Sequence, residues 1–309
     1  MQTIFNIINI PLGWVLEFLA GIFGGNFAAS VFVFTLLANL AFIPLSIKSQ
    51  KSSVQQTRIK PKLDELKKRY GDDKQKYSEA MQQLYQEENV SMSGGCLPMV
   101  LRMVIMLSIY WLIMSPLTYL LHIDSATISE ASKQLGIAAN ARGELQIIEA
   151  VRSGSLNIPE IANKLGTLNF NFFGINLTQT PKFSFDIFND AQLIWVMPII
   201  AFLAQMLTSV LSTLMQKKIN PDAPNMMGMM LTMPLISLFI GFTLPGGVTF
   251  YWACSSLIGG FIQLGVQQFY GPHKMLSRER LKELNKECDF EETQIKKINQ
   301  AKINGENAE

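Results

Sequence analysis

Polar side chains recur at helical spacing inside several apolar stretches of this sequence, where they can form hydrogen bonds away from bulk water. One helix face, at spacing i, i+3, i+4 and i+7, carries Gln205, Thr208, Ser209 and Ser212. Two other stretches carry comparable faces, with Thr35 and Asn39 in one and Trp252, Ser256 and Gln263 in the other. A further stretch contains Arg102. These ten residues are the predicted functional site.

The chemistry available to this set is solvation rather than bond breaking. Any one Ser, Thr or Asn inside a membrane is commonly used to bond a neighbouring helix. Arg102 lies five residues past Leu97, about 8 Å along a helix, and two interpretations are open. Its side chain either extends back to the aqueous face, or it lies with the amides and hydroxyls in a water-filled cavity. No acidic residue in these stretches could neutralise it in a dry core, which favours the cavity.

The elements that must position these residues are predicted from composition and length. Of 309 residues, 49% are hydrophobic and only 16% charged, and the mean hydropathy is +0.21, which is typical of a membrane protein. A spanning helix needs about 20 mainly apolar residues. Five stretches qualify, at residues 27–47, 97–121, 193–215, 226–244 and 248–270. The predicted fold class is an all-α polytopic membrane protein with five transmembrane helices that form a groove.

Basic residues set the orientation of the five predicted spans. If the N-terminus faces outside, segments 48–95, 216–225 and 271–309 lie in the cytoplasm and hold 20 of the 26 Lys and Arg residues. The outer loop, residues 122–192, then holds five of them. Positive charge concentrates on the cytoplasmic side of membrane proteins, so the sequence predicts the N-terminus outside and the C-terminus inside.

The segments outside the spans have distinct predicted roles. Residues 1–25 contain no Lys or Arg, so we expect no cleaved signal there, and the apolar spacing predicts an amphipathic helix in the outer interface. Residues 48–95 predict two helices that form an antiparallel cytoplasmic hairpin with a turn at Gly71-Asp72-Asp73. A solvated charged linker is the alternative. Residues 122–192 predict an extracytoplasmic loop that caps the helix ends.

Several classes of function are disfavoured. The net charge of +2 is too small for binding nucleic acid through its phosphates, and no direct recognition of nucleic-acid sequence is expected. Three distant cysteines and two histidines, neither within a span, predict no metal site, cofactor or catalytic pair. The chain is therefore predicted not to be an enzyme. A transporter or channel remains the alternative, although the spans show no paired repeats.

Three sequence strings resemble a known family. They are Gly94-Gly-Cys-Leu-Pro-Met99, Asp73-Lys-Gln-Lys with Leu84-Tyr-Gln-Glu-Glu88, and Leu244-Pro-Gly-Gly-Val-Thr-Phe-Tyr-Trp252. Together with the order of the elements, they resemble the YidC/Oxa/Alb family of membrane protein insertases in its short bacterial form.

The resemblance implies an insertase and folding chaperone of the bacterial cell membrane that needs no nucleotide hydrolysis. Its groove, open to cytoplasm and lipid, would receive hydrophilic segments of nascent membrane proteins and release their apolar helices into the bilayer. The implied partners are nascent membrane proteins, the ribosome and the lipid bilayer. Whether it acts alone or beside the Sec translocon is left open.

The chain departs from the family pattern at the groove charge. Members usually carry an Arg in the first span, five residues before its Pro, and Asn39 stands there before Pro44. The second-span string usually carries Gln where this chain has Arg102. The hypothesis is that the positive charge of the groove has moved from the first span to the second.

Overall fold

The computed structural model describes residues 2–88, 90, 97–181, 192–219 and 227–306, and these are mostly helical. The helices are α1 (Gln2–Ile22), α2 (Phe27–Ala41), α3 (Ile43–Tyr70), α4 (Lys74–Glu87), α5 (Leu97–Met114), α6 (Pro116–Tyr119), α7 (Ser125–Leu135), α8 (Ala141–Arg152), α9 (Pro159–Leu165), α10 (Val196–Ile219), α11 (Met227–Gly241), α12 (Gly246–Tyr270) and α13 (Pro272–Glu306). Strands β1 (Asn171–Phe172) and β2 (Ile175–Asn176) pair antiparallel. A 3-10 turn, Leu193–Trp195, leads into α10.

The chain divides into two compact units. The first contains Met1–Leu45 and Leu97–Leu264, and the second contains Ser46–Cys96 and Gly265–Glu309. Parts of the predicted loop 216–225, the start of the predicted span at Met226 and the Gly94–Cys96 part of the family string lie outside the described residues.

The hydrophobic core of the first unit lies where α1, α2 and α5 meet the cap, which comprises α7, α8, α9 and the β1–β2 hairpin. Phe27 of α2 and Phe170 are both almost completely buried, and their ring centroids lie 4.8 Å apart. From α8, Ile147 and Ile148 are fully buried. The cap is therefore packed onto the helix ends as part of one core.

Backbone hydrogen bonds also join the cap to the helices. Phe27 N donates to Asn169 O at 3.0 Å, and Asn169 N donates to Gly25 O at 2.8 Å. Gly25 has φ +83°, and a Cβ there would overlap the carbonyl oxygen of Thr167. Only glycine combines this left-handed conformation with so close an approach, which explains the Gly-Gly break before α2.

Glu144 of α8 links the cap to the short helix α6. Its carboxylate accepts hydrogen bonds from Thr118 N at 3.1 Å and from Thr118 Oγ1 at 2.6 Å. Only 5% of Glu144 is exposed, and burial raises the pKa of this carboxyl from its ordinary 4.5, against the lowering effect of the bonds from Thr118. Sequence analysis did not predict this contact.

The N-terminal helix α1 exposes a largely apolar face. Ile7, Trp14 and Phe18 are more than 60% exposed, whereas Leu16 and Ala20 are buried. Leu19 is also buried, whereas Val15 is exposed, so apolar residues occur on both the buried and the exposed sides of this helix. The placement of residues 1–25 in the membrane interface stays a prediction.

One described helix, Leu193–Met215, is both long and apolar enough to cross a membrane by itself, and Phe27–Ala41 with Ile43–Gln56 would qualify as one broken span. The predicted continuous span 27–47 is interrupted at Phe42. Pro44 explains the break, because it lies in the first turn of α3, where its missing N–H is tolerated. Helix α12 is 25 residues long, but its Gly, Ser and Gln content lowers its hydropathy. The five-span arrangement stays a prediction.

In the second unit, α3 ends at Tyr70 and α4 begins at Lys74, so the predicted turn lies between two helices. Asp73 caps α4 by accepting a hydrogen bond from Lys76 N at 3.1 Å. Lys62 of α3 forms an ion pair with Glu88, which follows α4. Close antiparallel packing of the two helices stays a prediction. Helix α13 extends over 35 residues with mixed charge.

Candidate functional site

The first cavity, of about 710 Å³, lies in the first unit among α2, α10, α11, α12 and residues 103–106 of α5. Its polar lining comes from α2, α10, α11 and α12, and its apolar lining includes Met103 and Met106 of α5 and Met233 of α11. The lining residues that the structure describes are all uncharged. The cavity therefore offers neutral hydrogen-bonding groups on some sides and flexible methionine side chains on others.

Nine of the ten predicted site residues line this cavity. They are Thr35, Asn39, Gln205, Thr208, Ser209, Ser212, Trp252, Ser256 and Gln263. The backbone of the tenth, Arg102, lies in α5, and its side chain is outside the described residues. Polar stripes that the sequence places on separate helices thus face one shared space.

Two adjacent glycines allow the helices to approach at this point. A Cβ on Gly259 of α12 would lie 2.8 Å from Asn39 Oδ1 of α2. A Cβ on Gly260 would overlap the Thr208 methyl of α10. Larger residues would separate the three helices, so the glycine pair fixes where Asn39 and Thr208 meet the cavity.

Some of the cavity side chains bond to their own helix. Thr35 Oγ1 donates to Val31 O at 2.6 Å, and Asn39 Nδ2 donates to Thr35 O at 2.8 Å. Thr208 Oγ1 donates to Ala204 O at 3.0 Å. These bonds satisfy donors inside apolar helices without a partner helix.

The hydroxyl of Ser237 forms a hydrogen bond between α11 and α10. Ser237 Oγ lies 2.8 Å from Gln205 Oε1 and 2.8 Å from Pro234 O of its own helix. A serine has one O–H to donate, so the two acceptors compete for one proton. If the hydrogen bond to Gln205 breaks, the Ser237 hydroxyl can therefore donate to Pro234 O instead.

Other lining groups have no partner in the part of the chain that the structure describes. The side chains of Ser212, Ser256 and Gln263 face the cavity, are half-buried and form no hydrogen bond to a described residue. Buried polar groups without partners are costly. Water or a polar chain in the cavity would satisfy them.

The sequence predictions missed part of the lining. Ser237, Ser255, Gly259 and Gly260 also line the cavity. Ser255 and Gly259 continue the three- and four-residue spacing from Trp252 and Ser256, which could have been recognised. Ser237 is isolated in a methionine-rich helix and gave no periodic signal. Among the described residues there is no cluster of His, Cys, Asp or Glu that could hold a metal ion.

The fold and the site define a class: an all-α membrane protein whose apolar helices surround a cavity lined by polar side chains, with a helical cap packed onto the helix ends. The chain belongs to the 60Kd inner membrane protein family, whose profile matches residues 18–273. The resemblance to the YidC/Oxa/Alb insertases is thereby confirmed, and the protein is one of the bacterial cell membrane.

Curated relatives match a shorter segment. The chain is 40% identical over 104 residues to the membrane protein insertase YidC of Ectopseudomonas mendocina, which covers 34% of this chain and 18% of that protein. The corresponding insertase of Cellvibrio japonicus is 42% identical over 104 residues, again 34% of this chain and 19% of the relative. The matched segment thus spans about a fifth of the length of these relatives.

Proposed function

We propose that this protein is a membrane protein insertase and folding chaperone. The observation that carries the proposal is the cavity of about 710 Å³ among apolar helices, in which hydroxyl and amide groups have no partner among the described residues. Moving an uncharged polar group into hydrocarbon without a partner costs roughly 2–7 kcal/mol. A cavity part of the way across the bilayer lowers that barrier for a short polar tail of a substrate.

The driving force in this proposal comes from the substrate. Its apolar helix gains free energy when it moves from water into lipid, so no nucleotide hydrolysis or covalent catalysis is needed. Met103, Met106 and Met233 line the cavity, and methionine adapts to apolar partners of varied shape. The proposed substrates are nascent membrane proteins, delivered by ribosomes, with or without the Sec translocon.

The proposed topology has five spans, with the N-terminus outside. The helical hairpin at 48–95 and the tail at 271–309 would then contact substrate or ribosome in the cytoplasm. Single cysteines introduced near Gly71 and near Gly143 of a cysteine-free variant should label from opposite sides of sealed vesicles. Labelling of both from the same side would contradict the topology.

The cavity can be tested by removing its open polar groups. Ser256→Leu combined with Gln263→Leu should slow insertion of a polar-tailed substrate into proteoliposomes about thirtyfold, because two hydrogen-bonding groups of about 1 kcal/mol each are lost. Phe261→Leu on the same helix is the control, since Phe261 is 58% exposed. A double variant that accumulates normally and inserts at the wild-type rate would refute the cavity mechanism.

Within this function, we propose that Arg102 supplies the positive charge of the groove in place of the first-span Arg of the family. Arg102→Gln should reduce insertion of substrates with acidic tails several-fold, and the effect should shrink as salt rises. Asn39→Arg added to it should restore much of the loss, because Asn39 lines the cavity. Unchanged insertion by Arg102→Gln, or no rescue after a real defect, would favour the alternative in which Arg102 extends to the aqueous face.

A further inference from the structure

A second cavity, of about 890 Å³, lies in the first unit between the cap and the ends of α5, α10 and α11. Residues from α8, from the segment after β2 and from the turn between α11 and α12 line it. Its polar lining includes Arg142, Gln146, Glu149, Thr178, Gln192 and Thr243. None of these residues belongs to the predicted site.

The two cavities lie on either side of a thin, mainly apolar layer. On α5, Met106 lines the first cavity and Tyr110 the second, and four residues correspond to about 6 Å of helix. Ile109 of α5, Met197 of α10 and Val248 of α12 are buried and occur along the helices between the two linings, together with two buried hydroxyl residues, Ser108 and Thr249. A chain leaving the first cavity toward the cap would therefore enter the second after a short apolar passage.

The chemistry of the second cavity suits a polypeptide backbone. Gln146 and Gln192 each offer an amide donor and an acceptor, and neither side chain bonds to any residue that the structure describes. An extended peptide presents alternating N–H and C=O groups that such amides can pair. Arg142 and Glu149 on the same face of α8 offset one another in charge, so the lining does not favour a phosphate.

The wall formed by the segment after β2 is held in place. Gly246 N donates to Gln179 O at 2.8 Å, and Gly247 N donates to Leu177 O at 2.7 Å. These bonds fix that segment against the first turn of α12. The volume of the cavity also lies within the range of about 300–1,000 Å³ that is usual for ligand sites.

We propose that the second cavity is a receiving site, which binds an extended polar segment of the substrate after that segment has passed the apolar layer. The proposal rests on the proposed insertase function and adds an outer binding step to it. Holding the translocated tail by hydrogen bonds would disfavour its return to the first cavity while the apolar helix of the substrate moves into lipid.

Site-specific photocrosslinking in the full-length protein separates the two claims. A photoreactive residue replaces Ser256 in the first cavity, Gln146 in the second, or Gln134 as a control. Gln134 lies in the same cap and, like Gln146, is exposed. It lines neither cavity and bonds only Glu130 of its own helix, at 3.2 Å. With insertion intermediates of increasing length, Ser256 should crosslink to the tail first and Gln146 only later, with Gln134 at background.

Each result decides a different claim. Crosslinks from Ser256 with none from Gln146 above the Gln134 level would overturn the receiving site and leave the insertase proposal standing. Crosslinks from Gln146 to phospholipid rather than to the substrate would also overturn it. No substrate crosslink from Ser256 would contradict the insertase proposal, and the receiving site with it.

A kinetic test complements the crosslinks. Gln146→Leu combined with Gln192→Leu should slow insertion of a substrate with a long polar tail about fivefold. The insertion rate of a substrate with a very short tail should not change, because only the long tail reaches the second cavity. Gln134→Leu should match the wild type on both substrates. Equal slowing of both substrates by the double variant would indicate a structural defect and overturn the proposal.

Discussion

Polar side chains have different roles in the cap and in the first cavity, which both belong to the first unit. In the cap, Glu144 accepts two hydrogen bonds from Thr118, and Lys164 Nζ donates to the carbonyl oxygens of Leu121 at 3.1 Å and His122 at 3.2 Å. In the first cavity, Ser256 and Gln263 have no partner among the described residues. These cap residues use their polar groups to hold the cap onto the helices, whereas Ser256 and Gln263 leave theirs available.

This difference separates the contributions to stability and to function. Substitutions in the cap should change the free energy of unfolding, because they remove bonds formed within the protein. Substitutions of the open cavity groups should change insertion with little effect on stability, because in the resting protein those groups have no protein partner to lose. The following predictions test this separation, from the largest expected effect to the smallest.

The largest loss of stability is expected from Glu144→Ala. It leaves Thr118 N–H without its acceptor and opens a void in the cap, so we expect a loss of about 2–3 kcal/mol in thermal or denaturant unfolding in detergent. Glu149→Ala is the control, because this exposed residue lies on the same helix and should change stability by less than about 0.5 kcal/mol. Equal effects of the two variants would contradict a cohesive role for Glu144.

The closest helix contact at the cavity gives the next effect. Gly260→Ala would force a methyl against Thr208, and we expect a loss of about 1–3 kcal/mol. Gly265→Ala on the same helix meets nothing within 4 Å and should instead be neutral or stabilise the protein by about 0.5–1 kcal/mol, since alanine favours helix. Similar stability of both variants would mean that the helices separate easily at Gly260.

The pKa of Glu144 predicts a pH dependence of stability. Because burial raises this pKa above 4.5, the folded protein holds its proton at pH values where the unfolded chain has released it. The contribution of Glu144 to stability should therefore decrease as pH rises from 4.5 to the raised value, and level off above it. Glu144→Gln should remove this slope when melting temperatures are compared between about pH 4 and pH 8. A wild-type contribution that increases over this interval would have the wrong sign.

A matched pair of serine variants gives the smallest effect. Ser132 in the cap is buried and donates to Ile128 O at 2.9 Å, so Ser132→Ala should lose about 1 kcal/mol. Ser256→Ala should change the unfolding free energy by less than about 0.5 kcal/mol. A loss from Ser256→Ala as large as that from Ser132→Ala would show that the cavity hydroxyl is cohesive after all, and would remove the contrast between the two regions.

The sequence predicted the cavity better than the cap for a physical reason. Helical periodicity places Gln205, Thr208 and Ser212 on one face whatever else the chain does, and the cost of polar groups in lipid then implies a shared space. The Glu144–Thr118 contact depends on the packing of two separate elements, 26 residues apart in sequence, and leaves no periodic trace. The helix break at Phe42 was missed, although Pro44 signals a helix boundary nearby.

The Ser237 hydroxyl has two possible acceptors, and this affects how fast α10 and α11 could separate. When α10 and α11 separate, the hydroxyl can rotate from Gln205 Oε1 to Pro234 O, which lies at the same distance, and it is never without an acceptor. Rotamer changes of this kind take picoseconds to nanoseconds at exposed sites. Breaking this one hydrogen bond would therefore add little to the barrier for separating α10 from α11, which would be set by the apolar packing between them.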